Sequence, residues 1–412
     1  MEGGGFLTDL QQDFLRLLTC FVSERTDDVC PDADRLSALL DLAAKHALSG
    51  IAAFQLYRMF KKSGDVHTAA RLMRMYQAQI LCGTRLGEWI AWIQELLTDH
   101  GITAAFVKGA VLRRYYPVPE LREMGDVDLL ISPAQRGETD RLLKENGFSC
   151  LIGAGDEWIY AGYGLRMEIH TNLYPDRSWN DVDYRAYFAD AFEKTVQDER
   201  CGMRTLDPAL HFLFLVQHLG KHFTGSGAGV RLFLDFDVFL RAYGDRIDWQ
   251  QVRTELAELS LLTFAENVLQ LCRFWFGTAI PETLDNPKAA VSSDAAYCAA
   301  LSESVLSEGQ FGVFSDNDGL KRIRKGYRKD EKNSFSAWLH ALKVNLFPDY
   351  QFMRRYMKAL DGRPYLLPVA WIKRWSIALF RRREDTKQAM HVFSTGQDAA
   401  LRQYQMLKRL GL

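Results

Sequence analysis

Residues 125–131, Gly-Asp-Val-Asp-Leu-Leu-Ile, alternate two carboxylates with aliphatic side chains, and few folds can house that pattern. Side chains on a strand point alternately to opposite faces, so Asp126, Asp128 and Leu130 share one face while Val127, Leu129 and Ile131 share the other. The two acids are attached about 6.6 Å apart at ~3.3 Å per residue, and unit charges at that separation repel by about 2.5 kcal/mol at an effective dielectric of about 20. A strand otherwise built of Val, Leu and Ile needs a compensating charge. Hard divalent cations such as Mg²⁺ supply one, because they take oxygen ligands and bind through one or two carboxylates plus substrate phosphates. The plainer alternative is a DxD pair at an exposed strand end, merely solvated.

A second alternating run, Leu165 to His170, puts Arg166, Glu168 and His170 on one face. As a neighbouring strand it would bring Glu168 beside the aspartates. Carboxylates on adjacent strands suit a two-metal displacement, in which one ion activates an attacking oxygen and the other steadies the leaving one. Upstream, Ile102 to Val107 reads as a short buried strand that ends in Lys108 and Gly109 before a helix-like stretch, Ala110 to Tyr116, stopped by Pro117 and Pro119. A glycine at such a turn lets a phosphate approach the backbone, free N–H groups at a helix start favour anions, and Lys108 adds a point charge. An ordinary β–α turn with a solvated lysine is the alternative.

Around this α/β unit, expected at 99–205, the apolar spacing is helical. Leu36, Leu39, Leu40 and Ala43, then Leu86, Trp89, Trp92, Ile93 and Leu96, recur at three- and four-residue intervals and predict a helical region over 1–98. Ala134 to Asn146 is a further helix, closed by Gly147. Asp207-Pro208 opens a helical domain over 206–345, with helices to about Phe276 and a loop at Asp285–Ser293. A C-terminal helical tail follows over 346–412. The 412 residues carry 51 Lys and Arg against 52 Asp and Glu, so no global field draws the chain to nucleic acid or an anionic membrane. Seven scattered cysteines without a CxxC spacing, no basic-then-apolar leader and no apolar run long enough to span a bilayer predict a reduced, soluble, cytoplasmic protein.

Three further groups carry open readings. His211, His218 and His222 fall roughly along one helical face, but i, i+7 spans about 10 Å, so only His218 and His222 could share a metal. Otherwise they and Lys221 face a nucleotide pocket or are satisfied buried histidines. Arg231 and Asp235, four apart, predict a helical ion pair. The basic stretch Lys321–Lys329 reads as a solvated loop or a clamp for a polyanion, and Val369–Arg383, striped by Trp371, Trp375 and Leu379, as a packed C-terminal helix or a membrane-surface helix.

Taken together, FVKGAVLRRYYPVPELREMGDVDLLI followed by LRMEIHTNL resembles the uncharacterised nucleotidyltransferase family of the DNA polymerase beta-type nucleotidyltransferase superfamily. LHFLFLVQHLGKHF, RLFLDFDVFL and, more weakly, LFPDYQFMRRYM with YLLPVAW extend the resemblance over roughly residues 35 to 375. It implies an α+β fold, a polymerase beta-type mixed sheet flanked by large N- and C-terminal helical regions. It also implies transfer of a nucleoside monophosphate from a triphosphate such as ATP to an unidentified acceptor, with two Mg²⁺ ions and release of pyrophosphate. Asp126 and Asp128 would ligate both metals, and Glu168 the one nearer the acceptor. Gly109 would lie against the triphosphate, with Lys108, His170, His218, Lys221 and His222 as further nucleotide contacts. Lys108-Gly109-Ala110 departs from the family's glycine-serine pair, which keeps open a non-catalytic nucleotide- or partner-binding module. A phosphate-group transferase acting on a sugar or lipid is a third reading.

Overall fold

The computed structural model describes residues 7–27, 30–174, 180, 182–225, 227–308, 342–343, 346–350, 353, 357, 360, 362–380 and 397–412. The basic stretch Lys321–Lys329 and the Arg381–Arg383 end of the C-terminal stripe lie outside them. The chain divides into two compact units, Met1–His222 with Ala228–Gln310 and Gly411–Leu412, and Phe223–Gly227 with Phe311–Leu410.

The first unit begins with four helices, α1 (Asp9–Val22), α2 (Ala33–Lys45), α3 (Ser49–Ser63) and α4 (Val66–Asp99). Local chemistry sets their ends. Thr8 and Gln11 form a reciprocal capping box on α1, Asp32 caps α2 through the Arg35 N–H, and α3 stops at Gly64, whose φ of 87° is the left-handed C-cap geometry. Ile90, Ile93 and Leu97, on the second half of α4, pack against the sheet that follows.

That sheet contains β1 (Ala104–Val107), β2 (Val127–Ile131), β3 (Ser149–Ala154), β4 (Glu157–Gly162) and β5 (Leu165–His170), in the order β1-β2-β5-β4-β3. β2 and β5 are parallel and every other pairing is antiparallel, so the sheet is mixed. Two helices are interleaved with it. The short α5 (Gly109–Leu112) runs on into a 3-10 turn, Arg113–Tyr115, in place of one helix to Tyr116, and α6 is Arg136–Glu145. Val127, Leu129 and Ile131 of β2 and Met167 and Ile169 of β5 join Phe106, Leu142 and Leu143 in the core. Asp128, Glu168 and His170 therefore project from the other face, as the alternation requires.

After α7 (Tyr184–Tyr187), a separate hairpin of β6 (Thr195–Asp198) and β7 (Met203–Leu206) contributes Cys201 and Met203 to the same core. Helices then resume as α8 (Pro208–Thr224), α9 (Val230–Tyr243), α10 (Trp249–Glu258), α11 (Leu262–Phe276), α12 (Ala290–Ser293) and α13 (Ala295–Glu308). The short α12 occupies part of the segment expected as a loop. Strands β3 and β4 carry no clean alternation in sequence. Leu151 and Ile152 are more than half exposed, and the register shifts between Cys150 and Ile152.

In the second unit, the helix Leu367–Phe380 sets Ala370 against Met353 and Leu360. The Trp371 and Trp375 indoles donate to the carbonyls of Pro348 and Leu346, and the Phe347 ring meets both edge-on. The tryptophan stripe is thus a packing face within its own unit. Among the described residues no helix is long and apolar enough to cross a membrane.

Candidate active site

Strand register brings the charged groups together. Val107 pairs with Asp128 across the β1–β2 ladder, and Asp128 pairs with Glu168 across β2–β5. The chain leaving Val107 turns at once, and Lys108 takes φ 51° and ψ −126°, a left-side backbone conformation that costs a non-glycine residue roughly 1–3 kcal/mol and persists only when the surroundings hold it. Two contacts do so. The Lys108 N–H donates to His211 Nε2 at 3.2 Å, and its ammonium reaches Asp128 Oδ1 at 2.6 Å. The Phe214 ring lies 5.4 Å from the same ammonium.

Asp128 is 5% exposed and also takes the His170 Nε2 contact at 3.2 Å, on the same Oδ1. Burial alone would raise its pKa, but Lys108 and then His170 outweigh that and hold the carboxyl well below its usual range. Burial likewise opposes the charge on Lys108. Asp128 first, then Glu168 and Asp126, keep the ammonium's pKa above its ordinary value. Asp126 sits just before β2, and Glu168 at the centre of β5, each half-buried. Burial first and the neighbouring carboxylates second push both of their pKa values up. The site therefore holds one firmly ionised acid and two whose charge the protein alone does not fully compensate.

Helix α8 supplies the histidines, and the fold gives them different neighbours. His211, 1% exposed, accepts from the Lys108 backbone, and burial pulls its pKa down to about 4, which keeps the imidazole neutral and able to accept. His218 and His222 face each other with Nε2 atoms 3.1 Å apart. Burial lowers the His218 pKa well below normal, with the charges of Lys108 and His222 adding to the shift. Lys221 is exposed, its ammonium 5.9 Å from the Tyr174 ring centre.

One expectation changes here. The ion pair expected between Arg231 and Asp235 is replaced by a tertiary one: Asp235 accepts from Arg122 Nη2 at 2.6 Å and Nε at 3.1 Å, and from the Tyr116 hydroxyl at 2.7 Å. Arg122 and Asp235 are both about 95% buried, and a planar guanidinium meets the carboxylate with two bonds, which the helical spacing of Arg231 does not match. Arg231 instead bonds the Glu123 carbonyl, its Nε is buried without a partner, and its charge acts on Asp126. Gly109 also has a reason within the fold. A Cβ there would come 2.4 Å from Arg122 Nη1, so the close approach that requires glycine is by the protein's own guanidinium.

The donor atoms of Asp128, Glu168 and His170 converge within 4.8 Å of one another, the one such group among the described residues. His170 is 3% exposed, and its Nδ1 is a buried polar atom with no partner. Two carboxylates and an imidazole fit a divalent cation, oxygen donors suiting Mg²⁺ and the nitrogen suiting Mn²⁺ or Zn²⁺ as well. Of the residues expected from sequence, Lys108, Asp128, Glu168 and His170 therefore come together, and Asp126, just before the same strand as Asp128, acts on them through its charge. The part of His211 in holding Lys108 was missed, because nothing in the sequence links positions 103 apart.

A family model described as uncharacterised nucleotidyltransferase matches residues 32–277, a span that takes in all of these residues. No curated protein and no solved structure matches the chain.

Proposed function

The chain belongs to this uncharacterised nucleotidyltransferase family, and from that premise we propose that it transfers a nucleoside monophosphate from a nucleoside triphosphate to an acceptor, with pyrophosphate as leaving group. The observation that carries the proposal is the register Val107–Asp128–Glu168, which sets a lysine turn, two aspartates and a glutamate around one sheet face. The antiparallel β1–β2 pair, the turn after β1 and the parallel partner strand bearing the third acid support reading the sheet as polymerase beta-type.

In this reading an acceptor oxygen attacks the α-phosphorus, the bond to the α–β bridging oxygen breaks, and pyrophosphate leaves with that electron pair. Glu168, on the strand beside the aspartates, takes the acceptor's proton. Asp128, Glu168 and His170 would hold a divalent cation, with Mg²⁺ as the expected ion, which when bound would supply positive charge against the developing charge of the transfer. Asp126 adds a carboxylate at the rim of that site. Lys108 and Arg231 are fixed cations beside it, placed to offset phosphate charge. His218 and His222, with Lys221, stand on the α8 side as donors for the nucleotide, and Gly109 holds the turn that carries Lys108.

One observation favours a second reading, a non-catalytic nucleotide-binding module: Lys108 already neutralises Asp128 directly. Calorimetric titration of each ribonucleoside triphosphate with Mg²⁺, into wild type and into the Asp126→Asn/Asp128→Asn double variant, tests the catalytic site. Metal-dependent binding lost in the variant supports it and names the base. Binding indifferent to metal and mutation, or no binding at all, overturns it.

A further inference from the structure

The superfamily resemblance implies two metal ions, yet a cation of the protein, the Lys108 ammonium, already lies against Asp128, one of the acids expected to hold both. We propose that Lys108 stands in for one of the two cations, so that the site takes a single divalent ion, held by Asp128, Glu168 and His170, with the Lys108 ammonium as its fixed second positive centre.

The inference rests on the nucleotidyltransferase reading and deepens it. Its first support is position. The ammonium lies 2.6 Å from Asp128 Oδ1, within the length of a strong charge-assisted bond, and its side chain is only 15% exposed. A surface lysine that merely solvated a β–α turn would extend into water.

The second support is that the backbone is arranged to deliver it. Lys108 is one of few non-glycine residues with positive φ among those described, and the strain is held by a buried His211 whose imidazole is neutral and accepts the Lys108 N–H. A neutral acceptor at that point leaves the lysine as the only cation the turn contributes. Phe214 flanks the ammonium with an aromatic face, which favours a cation and offers no oxygen ligand to a metal.

The third support is the donor set. The converging group is Asp128, Glu168 and His170, and Asp126 is not part of it. Both the lysine and the histidine bonds fall on Oδ1 of Asp128, so Oδ2 takes neither. Each of the three carboxylates already faces a cation of the protein: Asp128 the Lys108 ammonium, Glu168 the Arg166 guanidinium at 3.5 Å, and Asp126 the charges of Lys108, Arg166 and Arg231. A second divalent ion would have to share Asp128 with the Lys108 ammonium that is bonded to it, and only loss of that ammonium opens the carboxylate to a second ion.

The test is titration of Mn²⁺ alone into the full chain, followed by electron paramagnetic resonance, which reads both the number of ions bound and whether they lie close enough to couple. Mn²⁺ suits the mixed oxygen and nitrogen donors. Wild type is expected to bind one ion per chain with the signal of an isolated ion, and Lys108→Arg to do the same. Lys108→Met is expected to bind two ions with a spin-coupled signal, as for a pair about 3.5–4 Å apart. Two coupled ions in wild type, or a single ion in Lys108→Met, overturns the one-ion inference and leaves the nucleotidyltransferase reading standing. Wild type that binds no Mn²⁺ also overturns the one-ion inference, and the nucleotidyltransferase reading then stands or falls by the triphosphate titration. If Lys108→Met does not fold, the wild-type count decides by itself.

Discussion

Asp235 offers a quantitative test of which arginine the fold uses. Its carboxylate accepts two bonds from Arg122 and one from Tyr116, and all three residues are no more than 5% exposed. Asp235→Ala removes the acceptor and leaves the Arg122 guanidinium buried without a counter-charge, a change that costs about 3–5 kcal/mol in comparable buried pairs. Arg122→Met takes out the partner cation, and in the double variant Arg122→Met/Asp235→Ala neither charge is left stranded. The coupling energy from the double-mutant cycle is therefore expected at about 2–3 kcal/mol. The parallel cycle with Arg231→Met should give less than about 1 kcal/mol, because Arg231 is bonded to the Glu123 carbonyl and not to Asp235. Urea unfolding followed by tryptophan fluorescence and circular dichroism measures each corner, with coincident transitions required before free energies are assigned. A larger coupling to Arg231 than to Arg122, or an Asp235→Ala cost below about 1 kcal/mol, would refute the tertiary pairing.

Gly109→Ala should destabilise the chain by roughly 1–3 kcal/mol, because the added methyl meets a guanidinium that Asp235 already holds; an unchanged melting temperature would show that Arg122 can yield. His46 and His211 are buried with pKa values near 4 against an ordinary 6.5, and His46 accepts the Val230 N–H while its other nitrogen faces the Leu306 carbonyl. The folded state thus binds fewer protons than the unfolded one between those values. Stability is complete above pH 6.5 and falls as pH drops from 6.5 towards 4, by about 3 kcal/mol for each histidine, with no further loss from either below 4. Urea midpoints at pH 7 and pH 4.5 check this, and His46→Gln should flatten the profile; a flat wild-type profile would contradict it. Glu168→Gln, assayed at saturating metal and nucleotide so that weakened binding does not enter, should slow pyrophosphate release by about 10²–10⁴-fold, and an unchanged rate under those conditions would deny Glu168 the proton-taking role.

Much of the sheet was legible in the sequence because strand periodicity is a local property. The alternation in 125–131 and 165–170 assigned Asp128, Glu168 and His170 to one face and Val127, Leu129, Ile131, Met167 and Ile169 to the core, and the structure has that division. Helices to Asp99 and again from Pro208 to Phe276 were equally readable from apolar spacing and end signals. The β3–β4 hairpin was not, since a bulged strand with exposed Leu151 and Ile152 carries no period to detect.

The electrostatic wiring belongs to tertiary structure. The sequence offered Arg231 four residues from Asp235, and local geometry made that pair reasonable. Arg122, 113 residues away, won because the fold presents its guanidinium edge-on to the carboxylate in a dry setting, where two aligned bonds outweigh helical proximity. In the same way Lys108 and Gly109 were visible as a strand-to-helix turn, but only the packing of α8 and of Arg122 decided that the lysine turns inward and that the glycine is needed. Periodicity tells which face a side chain shares, because it depends on the backbone alone. Which charge compensates which depends on distance and desolvation, and those exist only once the chain has closed on itself.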